Sequence, residues 1–169
     1  MCVIIDINTF PLVFDKNSKN HNEFKPVLDW VIDGKGKIVY GGSKYNEELK
    51  RLPKYLKVLG QLNRFRKLIS INSHLIDKYQ EAIEKLPDSK GFNDPHLVAI
   101  AFISKCEIIC SLDKKAHPYL NKKTFYPNNS PRPKIYSGIK SASVISDKYI
   151  TKICLPCVKL TKEEIKLLA

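Results

Sequence analysis

Cys2-Val3-Ile4-Ile5 is a run of four apolar residues cut off by an acid, Asp6. A continuous apolar run this short suits a strand buried on both faces, as in a parallel sheet covered by helices. The pattern returns along the chain. Ile38-Val39-Tyr40 is a second run, closed by Gly41-Gly42. Cys106 to Ser111, centred on Ile108 and Ile109, is a third, with Asp113 directly after it. Lys134 to Tyr136 is a further candidate, after a Pro/Asn-rich loop over 127–133.

Helical patterns fill the gaps. Phe24, Val27, Leu28, Val31 and Ile32 recur at helical spacing and predict a helix over 23–33, with Pro26 in its first turn and Gly34 and Gly36 past its end. The region 43–86 reads as helical, broken near Leu52 by Pro53, with Tyr55, Leu59, Leu62, Phe65 and Ile69 as one stripe. Asn72 or Ser73 caps a further helix inside it. Asp94-Pro95 opens the next helix, whose body from Leu97 to Ile103 is apolar almost all round. Ile153 to Leu160 reads as a strand, and Thr161 with Glu164 as the capping box of a short terminal helix. Strand–helix–strand alternation defines an α/β fold with a mostly parallel sheet.

The chain has 169 residues, about one domain's worth. No apolar run approaches a membrane span, and the first residues lack the basic start of a signal peptide. Lys plus Arg exceeds Asp plus Glu by 29 to 17, a net charge of +12. Such a balance points to an anionic partner, nucleic acid first and an acidic protein second. Lys50, Lys54, Lys57 and Arg64 share one face if the helix runs through Pro53, and Arg66 and Lys67 extend it. Lys114, Lys115, Lys122 and Lys123 flank Asp113. The five cysteines are expected as reduced thiols in a cytoplasmic protein. Cys154 and Cys157 have the spacing of half a zinc site or a redox pair, and Cys106 and Cys110 read as small hydrophobes of a strand.

In open α/β sheets, ligands bind beyond the carboxyl ends of the strands. Asp6 and Asp113 both stand there. Asp94 heads the helix that leads into the third run, and Glu47 and Glu48 follow the second run on the same side. Crowded carboxylates repel one another, and a hard divalent cation relieves that repulsion. Mg²⁺ or Mn²⁺ is the natural occupant, able to activate water and to stabilise charge on a phosphate.

These pieces are similar to the motifs of the PIN-domain nucleases. Asp6-Ile7-Asn8 resembles the family's opening Asp-x-Asn/Ser/Thr. Glu48-Leu49 resembles its helical Glu, Asp94-Pro95-His96-Leu97-Val98-Ala99-Ile100-Ala101 its Asp before an Ala-rich apolar helix, and Ser111-Leu112-Asp113 its Thr/Ser-x-Asp. The resemblance implies a three-layer α/β/α sandwich and a metal-dependent endoribonuclease. Asp6, Glu48, Asp94 and Asp113 would hold Mg²⁺ or Mn²⁺, Asn8 and Ser111 would support them, and the products would carry a 5′-phosphate and a 3′-hydroxyl. Glu48 is preferred to Glu47 because Leu follows it. The basic residues Lys50, Lys54, Lys57, Arg64, Lys114 and Lys115 would contact RNA. Small bacterial members are often toxins, which adds an antitoxin protein and a second copy of the chain as candidate partners. The resemblance covers residues 1–137; residues 138–169 form an extension expected to pack on the same domain. The rival reading is a catalytically inactive PIN-like module whose basic face docks RNA or an acidic protein.

Overall fold

The computed structural model describes residues 2–127, 130–146 and 151–168. The regular elements run β1 (Cys2–Ile5), α1 (Phe10–Phe14), α2 (His21–Ile32), β2 (Lys37–Gly41), α3 (Ser43–Lys50), α4 (Pro53–Arg64), β3 (Leu68–Ile71), α5 (Ser73–Glu84), α6 (Pro95–Ser104), β4 (Ile108–Cys110), α7 (His117–Leu120), β5 (Lys134–Tyr136) and α8 (Lys162–Leu168). Short 3₁₀ turns join several of them, the first over Ile7–Thr9.

The strands form one five-stranded, all-parallel sheet in the order β3-β2-β1-β4-β5, sandwiched between helices as an α/β/α architecture. The apolar runs dictate this. All four residues of β1 and all three of β4 are buried, so neither strand has a solvent face. The chain builds outward from β1 through β2 to β3, then crosses back and adds β4 and β5 on the other side of β1. The carboxyl ends of β1 and β4 therefore flank the point where strand order reverses. Ile4 is in register with Ile109 and Ile5 with Cys110, so Asp6 and Ser111 leave the sheet side by side. Helix α6 matches its apolar sequence: Pro95 to Ala101 are all buried, against α5 and four of the strands.

The region 43–86 needs correction, because it contains strand β3 as well as helices. Helix α4 ends in a paired turn in which the Arg66 N–H donates to the Asn63 carbonyl and the Lys67 N–H to the Leu62 carbonyl. Arg66 takes the left-handed conformation there, with φ of 58°. Lys105 does the same after α6, just before β4. Glycine usually marks such stops; here basic residues fill them, so the sequence carries no stop signal.

The single basic face also fails. Helix α3 stops at Lys50 and α4 begins at Pro53, whose missing N–H is harmless only in a first turn. Lys54 is engaged by Asp15, which draws the Asp15 carboxyl below its usual range. Lys57 and Arg64 stay exposed, but Lys67 is wholly buried. Helix α2 starts at His21, whose ring Nδ1 donates to the Leu12 carbonyl, so Pro26 lies beyond the first turn.

The expected strand over 153–160 is instead a 3₁₀ turn at Lys152–Cys154 followed by irregular chain. The expectation of five reduced thiols is likewise overturned: Cys2 and Cys154 form a disulfide across a sequence separation of 152, with Cα atoms 6.3 Å apart. That bond leaves no half zinc site at 154–157. Buried Cys106 and Cys110 pack as small apolar groups, with burial pushing the Cys106 thiol up to about 12. The terminal capping box is present: Thr161 N–H donates to Glu164 Oε2, and Glu164 N–H to Thr161 Oγ1. Residues 128 and 129 of the loop 127–133, and 147–150 and 169 of the extension, lie outside the described residues. No helix among the described residues is long and apolar enough to cross a membrane.

Lys67 fastens the extension to the domain. Its Nζ donates to the carbonyls of Gly34 (2.9 Å), Gly36 (3.3 Å) and Val158 (2.9 Å). All three ammonium donors are thereby used. Burial, with Lys37 adding repulsion, still lowers its pKa from 10.5 to about 8. Between those values the unfolded chain binds the extra proton, so stability rises with pH through that window. Lys67→Met is expected to destabilise the fold by about 1–3 kcal/mol, because it orphans buried carbonyls. It is also expected to remove that rise, as read by urea unfolding of both proteins at about pH 7.5 and about pH 9.5.

Candidate active site

Asp6 is 4% exposed, an acid buried at the end of an apolar strand. Each of its carboxylate oxygens has one local donor. Ser111 Oγ donates to one oxygen at 2.7 Å and the Asn8 backbone N–H to the other at 3.1 Å. Asn8 thus supports Asp6 through its main chain. The loops after β1 and β4 are tied further by the Asp6 N–H to the Cys110 carbonyl and by the Leu112 N–H to buried Thr9 Oγ1. Despite these bonds the Asp6 pKa is raised, chiefly by burial and then by the charge of Asp113.

Asp94 occupies the N-cap position of α6, yet its side chain makes no capping bond. Capping therefore does not account for this acid. Its pKa is raised from 3.8 to about 6, first by burial and then by the charges of Asp6, Glu48 and Asp113. The three other acids singled out in the sequence thus all act on Asp94. A cleft of about 80 Å³ lies between the segments 91–94 and 113–116, with Asp94, Asp113 and Lys115 in its lining. Asp113 is exposed and accepts the Lys115 N–H at 2.8 Å in a local turn. Two roomier hollows, of about 220 and 470 Å³, contain none of the four acids. Chemistry rather than size therefore marks the site.

Glu48 reaches this edge through Tyr45, one turn earlier on α3. The Tyr45 side chain is completely buried and its hydroxyl donates to the Ile5 carbonyl at 2.6 Å, which pins α3 to the end of β1. Burial, with Asp6 and Glu48 nearby, raises the phenol well above its usual pKa. Glu47 pairs with Arg51 in solvent, whereas Glu48 is the one of the two whose charge acts on Asp94.

Three residues outside the expected acid set also belong here. Lys44 Nζ stands 3.5 Å from Glu48 Oε1, and its charge lowers the Asp94 pKa. His96 is 1% exposed, and burial holds its pKa down at about 4, so the ring is neutral near pH 7. His117 donates from Nε2 to the Ser111 carbonyl at 3.0 Å, and its charge acts on Asp6. The spacings Lys44-x-x-x-Glu48 and Asp94-x-His96 are visible in the sequence, but nothing local separates them from ordinary helix pairs. Of the expected basic contacts, Lys114 and Lys115 directly follow Asp113 and Lys50 stands two residues after Glu48 on α3, whereas Lys54, Lys57 and Arg64 lie on α4, which packs against β3.

Among the described residues no group of three or more His, Cys, Asp or Glu side chains is arranged to hold a metal ion. Mg²⁺ characteristically keeps several waters and takes one or two protein carboxylates plus substrate phosphate. An all-carboxylate set around an uncapped Asp94 fits that kind of hydrated, hard cation. Comparisons with protein-family models, curated proteins and solved structures find no match for this chain.

The raised Asp94 pKa has a measurable consequence. A carboxyl with a folded pKa above its unfolded value loses stability as pH rises through roughly 4 to 6. Asp94→Asn keeps a good N-cap residue and removes the charge. It is expected to raise stability by about 1–2 kcal/mol near pH 7.5, after allowance for partial exposure. The gain should shrink towards zero near pH 4, as thermal melts of both proteins at the two pH values will read.

Proposed function

We propose that this chain is a metal-dependent endoribonuclease of the PIN-domain kind. The observation that carries the reading is Asp94, an N-cap acid with no cap bond, whose carboxyl is driven to about 6 by burial and by Asp6, Glu48 and Asp113. Perturbed acids gathered at the switch point of a parallel sheet mark a site rather than a surface. When bound, Mg²⁺ or Mn²⁺ supplies activation of water and neutralisation of phosphate charge.

The chain's own residues have distinct parts in this reading. Asp6, Asp94 and Asp113 would hold the cation, with Glu48 beside them. The Ser111 hydroxyl keeps one Asp6 oxygen fixed, and Tyr45 keeps α3 against β1. Lys114 and Lys115 follow Asp113 directly and supply positive charge for the RNA backbone. Products with a 5′-phosphate and a 3′-hydroxyl follow from the family likeness, as does an antitoxin protein if the nuclease is a toxin.

Labelled single-stranded RNA and DNA, incubated with purified protein in Mn²⁺, Mg²⁺ or EDTA, test the activity. The expected result is RNA cleavage that needs the metal and disappears in Asp6→Asn. Binding without cleavage, alike in both proteins, would support the inactive binding module instead. In filter-binding titrations across salt concentrations, neutralising Lys114 or Lys115 is expected to lower the salt slope by about 1 each.

A further inference from the structure

We infer that Cys157 is the attacking thiol of an internal thiol–disulfide exchange that moves the Cys2–Cys154 bond to Cys154–Cys157 and frees the Cys2 thiol. Three cysteines are thiols beside that bond: Cys106, Cys110 and Cys157. The first two are sealed in the core, where burial raises their pKa and leaves them inert. Cys157 is partly exposed and stands three residues after the bonded Cys154, at the spacing of a redox pair. Its Sγ donates to the Cys154 carbonyl at 2.9 Å. The thiol is thereby held against the residue whose sulfur it attacks.

Both ends of the step have a supporting group. Lys67 Nζ donates to the carbonyl of Val158, the residue after Cys157, and its ammonium and the charge of a Cys157 thiolate act on each other. A neighbouring cation favours the thiolate, which is the nucleophile. At the other end, the hydroxyl oxygen of buried Thr151 lies 3.2 Å from Cys2 Sγ and 3.4 Å from Cys154 Sγ. Disulfide sulfurs carry no hydrogen, so the hydroxyl is the donor to them. Its shorter contact is with Cys2, the sulfur that leaves as a thiolate. The step balances without an outside oxidant or reductant. Cys157 gives its proton to solvent and its sulfur attacks Cys154 Sγ; the Cys154–Cys157 bond forms as the Cys2–Cys154 bond breaks, and Cys2 departs with the electron pair and takes up a proton. Cys2 begins β1, so the exchange unties the C-terminal extension from the sheet while Lys67 still holds Val158.

Disulfide mapping of the full chain tests this. The oxidised protein is held dilute at about pH 8.5, where a thiol is partly ionised, for several hours. Exchange is then stopped at about pH 5 in urea, where thiolate is scarce, and thiols are labelled with N-ethylmaleimide and located by peptide mass spectrometry. The expected result is label on Cys2 together with a linked Cys154–Cys157 peptide. In Cys157→Ser that Cys2 label should fall by about tenfold or more, since the attacking thiolate is gone. Cys157→Ala serves in its place if the serine variant fails to fold by circular dichroism. Thr151→Val is expected to slow the appearance of the Cys2 label by about tenfold, the worth of a hydrogen bond to a charged group. Label on Cys157 with none on Cys2 would overturn the exchange. So would equal Cys2 label with and without Cys157. Label on both Cys2 and Cys154 would overturn the disulfide and the exchange together, and an unchanged rate in Thr151→Val would remove the part given to that hydroxyl.

Discussion

The hydrogen bond from Ser111 to the buried Asp6 carboxylate joins the two strand ends on which the rest of the site is built. Both residues leave the sheet at the point where strand order reverses, so parallel geometry alone opens a crevice between them. A carboxylate at 4% exposure would be intolerable without such donors. With them it is retained, and the loops after β1 and β4 are held in one register. Everything else at this edge is referred to that pair: Tyr45 reaches the carbonyl before Asp6, and His117 reaches the carbonyl of Ser111.

The fold accepts an electrostatic penalty there. Helix α6 is apolar around its whole circumference, so packing against α5 and the sheet fixes where it begins. Its N-terminus does not depend on a side-chain cap, and Asp94 is left uncommitted among three like charges. Stability elsewhere offsets this, through a continuous core, through Lys67 holding three carbonyls and through the Cys2–Cys154 bond. Sites that gather like charges commonly trade stability for chemistry in this way.

Much of the fold was legible because it follows from burial. Strands β1, β2 and β4 are apolar runs with no polar face, and α6 is an apolar helix between recognisable ends. Strand β3 was hidden. Leu62, Phe65 and Ile69 happen to continue the helical spacing of α4, and Arg66 stops the helix by adopting φ of 58° with no glycine to announce it. The strand sits at the sheet edge, where its residues are mostly half exposed and lack a solid apolar run. Pairing with β2 decides its state, and pairing is not a local property.

The sequence by itself determined an α/β chain with a parallel sheet, and it put Asp6 and Asp113 just past strand ends, because apolar runs and their interruptions are local facts. Only the tertiary structure decided that the charge of Glu48 rather than Glu47 acts on Asp94, that Asp94 makes no cap bond and that the His96 Nδ1 is buried without a hydrogen-bond partner. It also decided that Lys67 is a buried clamp and that Cys2 meets Cys154. Each of these depends on which elements pack together over distances of tens to more than a hundred residues. Burial, charge–charge repulsion and cross-linking act through space, and periodicity along the chain carries no record of them.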